Sequence, residues 1–265
     1  MPELAELRRT ADFINDFSNG VKFQNVKKNP IHKCSEVNLP FNKFKIKAIS
    51  RGKELALVLK DSETSNVVNL FMTMGMSGRF ACSNTGDEKK HSHLIFESEH
   101  DTSLSFVDVR RFGKWKVDDT WSINRGPDPT TEYELFCHNI IDNLYKAAFN
   151  HPIHTVLMNQ KYFNGIGNYL RAEILYRLPH INPFLSAREV LSNYPEVFHL
   201  CKIIPLQAYA LSGGRLKDWE NPFAEEPIPF KKFMRCYGNS SMAHQKDKNG
   251  RRFWYDPKWE SAMAL

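Results

Sequence analysis

The spacing of apolar residues changes from strand-like to helical at a linker-like break, Gly126-Pro127-Asp128-Pro129. Before that break the apolar residues come in short runs, continuous or partly alternating, at 44–49, 55–59, 67–72, 94–96 and 104–109. A period near two marks strands, and one near 3.6 marks helices. Turn-forming residues separate the runs at 61–66, 75–78, 84–86 and 99–102. Short strands at this spacing suggest a β-sandwich or barrel. After the break, Leu135, Ile140, Ile141, Leu144, Tyr145 and Ala148 follow helical spacing from 131 onward. Pro152 opens a helix through 158, Gly165-Ile166-Gly167-Asn168 interrupts, and a further helix starts over 169–177. Ser186 and Glu189 have the spacing of a capping box. Segments 230–237 and 252–255 are β-like and flank a polar turn, which reads as a terminal hairpin. One helix precedes the strands: Leu4, Leu7, Ala11, Ile14 and Phe17 share a face over 2–18, and Asn19-Gly20 stops it. The expected fold is α+β in two domains. Residues 1–125 carry the N-terminal helix and β-sandwich; residues 126–265 carry the helices and the hairpin.

The 265 residues, 42% hydrophobic and 25% charged, have the bulk character of a soluble globular protein with room for real cores. No run approaches the roughly 18 apolar residues of a membrane span. The N-terminus lacks the basic-then-apolar order of a secretory signal. Lys and Arg outnumber Asp and Glu by 36 to 30, a mild excess that favours polyanionic partners. Lys27-Lys28, Arg110-Arg111 and Arg251-Arg252 concentrate that charge. The five cysteines are widely spaced and form no C-x-x-C pair. That spacing excludes the usual four-cysteine zinc site and fits a reducing intracellular compartment.

Four segments carry chemistry. Met before Pro is ordinarily removed, which would leave Pro2 with a free secondary amine. An α-amine has a pKa near 8, so about a tenth of it is neutral and nucleophilic at pH 7. Glu3 and Glu6 lie close enough in sequence to move protons. Asn164-Gly165-Ile166-Gly167-Asn168 places glycines and a capping Asn at a helix start, an arrangement that predicts an anion contact. Asp108-Val109-Arg110-Arg111-Phe112-Gly113 sets two guanidinium groups beside an aromatic ring, suited to phosphates and unstacked DNA. Arg251 follows the tight turn Asn249-Gly250 and can reach a phosphate or a minor groove.

In this order along one chain, the segments resemble the Fpg/Nei family of DNA glycosylases. The match adds Arg51-Gly52-Lys53, Met74 to Gly78 and His91-Ser92-His93-Leu94, and extends from Asn164 to Glu173. Arg235-Cys236-Tyr237-Gly238 and Gly250-Arg251 followed by Phe253-Trp254 look like the zincless, endonuclease VIII-like 1 type. Most relatives close the terminal hairpin on four cysteines. Only Cys236 stands here, so packing by Phe233, Phe253 and Trp254 is expected instead. Leu4-Ala5 replaces a Gly-Pro pair common among zincless relatives.

The resemblance implies a helix-two-turn-helix domain with a zincless finger over about 228–258. It implies base-excision repair of oxidised bases, chiefly pyrimidines, with β,δ-elimination at the abasic site, and needs no metal and no cofactor. Pro2 would be the Schiff-base nucleophile, Glu3 the proton shuttle and Lys53 the phosphate-binding support of catalysis. Met76, Arg110 and Phe112 would fill the gap left by the flipped nucleotide. Arg235 and Tyr237 would contact the extruded base. His93, Arg111, Asn168 and Arg251 would hold phosphates. Glu6 and Glu173 would orient the N-terminal region. The implied partner is duplex or bubble DNA carrying oxidised bases or abasic sites, met by a monomer without a membrane, and in the nucleus if the source is eukaryotic. A lesion-binding protein of the same fold with weak or no catalysis is the alternative. A basic α and β scaffold or RNA-binding protein is a third reading.

Overall fold

The computed structural model describes residues 2–211, 213 and 228–260. Met1, whose removal would free the Pro2 amine, lies outside them. The described chain forms two compact units. One holds Pro2 and Glu6–Ser122, and the other holds Glu3–Ala5 and the described residues from Ile123 onward. The division therefore cuts α1 (Leu4–Ser18) near its start.

In the first unit, Leu7, Ala11 and Ile14 of α1 enter the core. Asn15 on the same helix donates to the Ala48 carbonyl at 3.0 Å and accepts from its N–H at 2.7 Å. The strands are β1 (Phe23–Lys28), β2 (Phe44–Arg51), β3 (Glu54–Asp61), β4 (Val67–Thr73), β5 (Arg79–Asn84), β6 (Ser92–Ser98), β7 (Thr102–Val107) and β8 (Lys114–Val117). They form one antiparallel sheet in the order β5-β7-β6-β1-β2-β3-β4-β8. Its halves join through β1, which pairs along its length with β6 but meets β2 only at Phe23 and Phe44. Those two rings stack at 5.8 Å. Leu94, Phe96, Leu104 and Phe106 from one half share a core with Leu55, Leu57, Leu59 and Leu70 from the other. The expected sandwich is thus a single sheet whose two layers stay joined at one corner. The apolar runs do not reveal β1, because Gln24, Asn25, Lys27 and Lys28 make it mostly polar.

The second unit contains α2 (Tyr133–Ile141), α3 (Ile153–Val156), α4 (Asn168–Tyr176), α5 (Ala187–Asn193), α6 (Glu196–Ala210), α7 (Ile228–Phe233), β9 (Ala243–Lys246) and β10 (Arg252–Tyr255). The helical spacing through 148 does not give one long helix. After Ile141 the bonds tighten to three-residue steps, as in Leu144 N–H to the Ile141 carbonyl and Lys146 N–H to that of Asn143. The Ser186 hydroxyl caps α5 through the Glu189 amide at 3.2 Å, half of the expected capping box.

The hairpin requires a correction. Residues 228–233 are helical, and the partner of β10 is β9, in the register Lys246 opposite Arg252. Phe230 and Phe233 looked like strand residues but are buried three positions apart on a helix. The actual strand, Ala-His-Gln-Lys, offers almost no apolar signal.

Packing does hold β10. Phe253 is fully buried, with His154 stacked on it at 4.4 Å and the Arg171 guanidinium 5.0 Å from its ring centre. Burial pushes the His154 imidazole down to about 4, Arg171 adds to this, and Asp247 opposes it. A folded pKa below the unfolded value near 6.5 makes stability complete above that value. It is lost as pH falls from about 6.5 to about 4, by on the order of 3 kcal/mol. Urea melts at pH 7.5 and 4.5 should therefore differ less for His154→Phe, which keeps the stack, than for the unaltered protein. Equal differences would show that His154 does not carry this acid sensitivity.

Candidate active site

The residue next to Pro2 is the best-defined acid of the site. The Glu3 carboxylate accepts from the amides of Tyr169 at 3.0 Å and Leu170 at 3.2 Å, and the residue is 2% exposed. It therefore occupies the N-terminal end of α4, where free N–H groups and the helix dipole favour an anion. The helix-start anion site expected from the Gly-rich turn is present, but these two amides hold an intramolecular carboxylate rather than a phosphate. Gly167, not Asn168, is the N-cap. A Cβ on Gly167 would stand 2.1 Å from the Glu3 carboxyl carbon, so only glycine leaves room for this seat. Leu4 docks beside it, with its N–H on the Gly165 carbonyl at 3.1 Å. Gly165 has φ of 99° and leaves the space that the Leu4 side chain fills. Pro2 is buried, and so is Glu6, whose carbonyl accepts from Thr10 Oγ1 at 2.8 Å.

Glu173 does something other than expected. It is fully buried and turns to the segment before the hairpin rather than to the N-terminal region. One oxygen accepts from the amides of Cys236 at 2.8 Å and Tyr237 at 2.9 Å. The other accepts from the Arg235 amide at 3.1 Å and pairs with the Arg177 guanidinium. One carboxylate thus shapes the backbone that presents Arg235 and Tyr237. The Arg235 side chain is exposed; Tyr237 is half-buried beside Tyr169 and Trp254.

Asn168 and Arg251 are linked through two residues the sequence reading missed. The buried Arg171 guanidinium donates to Asn168 Oδ1 from Nε at 3.0 Å and from a terminal nitrogen at 2.6 Å. It also donates to the His154 carbonyl and pairs with Asp247 at 3.0 Å. The other Asp247 oxygen accepts from the Asn249 and Arg251 amides, which fixes the turn that bears Arg251. Burial would raise the Asp247 carboxyl; the Arg251 and Asn249 amides and Arg171 outweigh it and hold it below its ordinary value. Asn168 Nδ2 closes the network on the Arg252 carbonyl at 3.0 Å. Asn168 therefore joins α4 to the hairpin, while the Arg251 side chain stays exposed. An Asp two residues before Asn-Gly signals such a side-chain-capped turn, and that signal was available in the sequence.

The first unit carries the remaining candidates. Lys53 sits in the two-residue turn between β2 and β3, with Gly52 at φ of 57°, and is 8% exposed. Glu54 beside it accepts from the Ser122 hydroxyl. The structure brings the segments that bear Met76, Arg110 and Phe112 together through Asp108. Its carboxylate accepts from the Ser77 hydroxyl, from the Arg110 amide at 3.2 Å and from the Gly113 amide at 2.7 Å. Gly75 packs against the Phe112–Gly113 backbone, where a Cβ would fall 2.6 Å from the Gly113 nitrogen. Phe112 is 52% exposed and lies under the Arg110 guanidinium at 4.9 Å. Arg111 is exposed, with a left-handed φ of 55°. His93 is not on the surface. It is buried, with Nε2 on the Asp108 carbonyl at 2.9 Å, so it supports the loop from beneath.

The formamidopyrimidine-DNA glycosylase N-terminal domain family matches residues 1–115, and the endonuclease VIII-like 1 DNA-binding family matches residues 228–258. Endonuclease 8-like 1 of Mus musculus is 35% identical over 96% of this chain and 72% of its own length. The Homo sapiens protein of that name is 34% identical over the same shares. The MutM (Fpg) protein from Thermus thermophilus has the same fold, with a TM-score of 0.78 over 98% of this chain and 99% of its own, at 21% identity. By this identity and coverage, the chain belongs to the Fpg/Nei family of DNA glycosylases and AP lyases, in its endonuclease VIII-like 1 branch.

Proposed function

We propose that this protein excises oxidised bases, chiefly pyrimidines, from duplex or bubble DNA and cuts the abasic site with the Pro2 amine as nucleophile. The observation that carries the reading is the seat of Glu3, which fixes an acid immediately after Pro2 on the end of α4. Among proteins of this fold, Lactococcus lactis Fpg has been solved with an oxidised-pyrimidine-containing DNA, and a MutM protein with carbocyclic 8-oxo-G-containing DNA.

The steps follow from ordinary amine chemistry. The neutral Pro2 nitrogen bonds to C1′ as the base leaves with the glycosidic electron pair and gains a proton. The bonded nitrogen gives up its own proton to the Glu3 carboxylate, which passes it to the ring oxygen as the C1′–O bond opens to an iminium. The iminium acidifies C2′–H; loss of that proton expels the 3′ phosphate, and a second elimination expels the 5′ phosphate. Lys53 offsets phosphate charge beside the lesion. Arg110, Phe112 and Met76 replace the stacking lost when the nucleotide leaves the helix, at a cost of a few kcal/mol.

Borohydride reduces an iminium and freezes it as a covalent bond. Protein shown by intact mass to lack Met1 should be trapped on DNA containing an oxidised pyrimidine, with the adduct mapped to Pro2. Protein carrying an added residue ahead of Pro2 has an amide there and should not be trapped. Retention of lesion DNA without trapping or nicking, by correctly processed protein on several oxidised pyrimidines, would identify a binder and sink the proposal.

A further inference from the structure

Two buried histidines beneath the Arg110–Phe112 loop have complementary needs. His32 is 5% exposed, and its Nδ1 accepts from the Cys34 amide at 3.3 Å. In a neutral ring the proton is then on Nε2, a donor. His93 donates from Nε2 to the Asp108 carbonyl at 2.9 Å, so its Nδ1 carries a bare lone pair. Both of these atoms, His32 Nε2 and His93 Nδ1, are buried and have no hydrogen-bond partner among the described residues. The ring centres are 5.1 Å apart. A direct bond between two nitrogens that face each other needs a centre-to-centre separation of roughly 5.2 Å, which the observed spacing matches.

We propose that His32 is a positioning residue for the void-filling loop: it donates its Nε2 proton to His93 Nδ1 and so holds His93 on the Asp108 carbonyl. The same carbonyl accepts the Arg111 amide at 3.3 Å, and the Asp108 carboxylate binds Ser77, Arg110 and Gly113. The chain from His32 therefore ends on the segments that bear Met76, Arg110, Arg111 and Phe112. His32 is itself fixed from the far side. It stacks on Trp115 at 4.1 Å, and Trp115 donates its backbone amide to Cys34 Sγ and its indole N–H to the Ser35 carbonyl. Burial favours the neutral form of both rings; Lys28, Arg111 and His91 add to this, and Asp108 opposes it. A doubly protonated His93 would lose the lone pair this contact uses, and a doubly protonated His32 would lose the one that accepts from Cys34.

The role in lesion chemistry rests on the function proposed above, so the test begins with readouts that need no activity. In full-length protein labelled with nitrogen-15 in histidine, both rings should be neutral with the proton on Nε2 at pH 7.5. His32→Phe keeps the ring on Trp115 and removes the donor. Its Arg110, Arg111 and Gly113 amides should exchange with solvent about tenfold faster, and His32→Gln, which keeps a donor, should restore most of the protection. Excision of an oxidised pyrimidine from duplex by His32→Phe should fall about tenfold, with removal of the same lesion from a single strand within about twofold. A proton on Nδ1 of either ring, or unchanged amide exchange in His32→Phe, overturns the proposal. Wild-type protein that excises nothing yet meets the tautomer and exchange results leaves the positioning intact and counts against the glycosylase reading alone.

Discussion

Gly167→Ala should abolish most base excision while leaving the protein folded. The backbone there has φ of −123° and ψ of −158°, an extended conformation open to any residue. Strain is therefore not the cost. The new methyl would instead stand 2.1 to 2.5 Å from the carboxyl carbon and both oxygens of Glu3. That group is the far end of a flexible side chain, so it gives way before the backbone does. Leaving its seat breaks the bonds from Tyr169 and Leu170, each a charge-assisted bond of about 1.5–3 kcal/mol. A positioned proton donor contributes roughly 10²- to 10⁴-fold to rate, so single-turnover excision should drop at least about a hundredfold. Glu3→Gln should lose a similar amount, and the double variant little more than either, because both changes remove one interaction. Circular dichroism and melting confirm the fold; a Gly167→Ala protein with near-normal excision would show that the seat of Glu3 does not matter.

The parts that sequence made legible are those written in local periodicity and local turns. Leu7, Ala11 and Ile14 announce α1, the run 55–59 announces β3, and the turn residues at 61–66 announce the turn between β3 and β4. What stayed hidden is long-range choice among equally plausible polar partners. Glu3 lies 166 residues from Tyr169, and no spacing rule says which buried carboxylate takes which amides. Glu173 lies on α4 beside residues suited to the N-terminal region, yet its oxygens reach 235–237. The family resemblance implied a phosphate contact for His93, but only its burial shows that the ring faces inward. β9 shows the same limit for secondary structure, since a short polar hairpin strand owes its form to its partner rather than to its own composition.

Glu173→Ala should have the largest effect on stability, and its activity defect should depend on whether a base is present. The change leaves the buried amide of Cys236 and the part-buried amides of Arg235 and Tyr237 without their acceptor, and the Arg177 guanidinium without its charge partner. Each orphaned donor costs about 1–3 kcal/mol, and breaking a buried ion pair about 3–5 kcal/mol in all. Local loosening limits the sum, because 235–237 can open to water without unfolding α4. A net loss on the order of 3–5 kcal/mol is expected, a large part of a stability of about 5–15 kcal/mol. Glu173→Gln keeps one oxygen for Cys236 and Tyr237 but turns an NH₂ toward Arg235 and Arg177, so it should fall between the two. That variant also serves if the alanine protein fails to fold. Amides 235–237 should then exchange freely while those of α4 stay protected. Arg235 and Tyr237 are the proposed contacts to the extruded base, and an abasic site offers no base. Excision of an oxidised pyrimidine should therefore fall at least tenfold further than strand cleavage at a preformed abasic site. Equal losses on both substrates would mean that Glu173 stabilises the unit as a whole and does not shape a base-contacting surface.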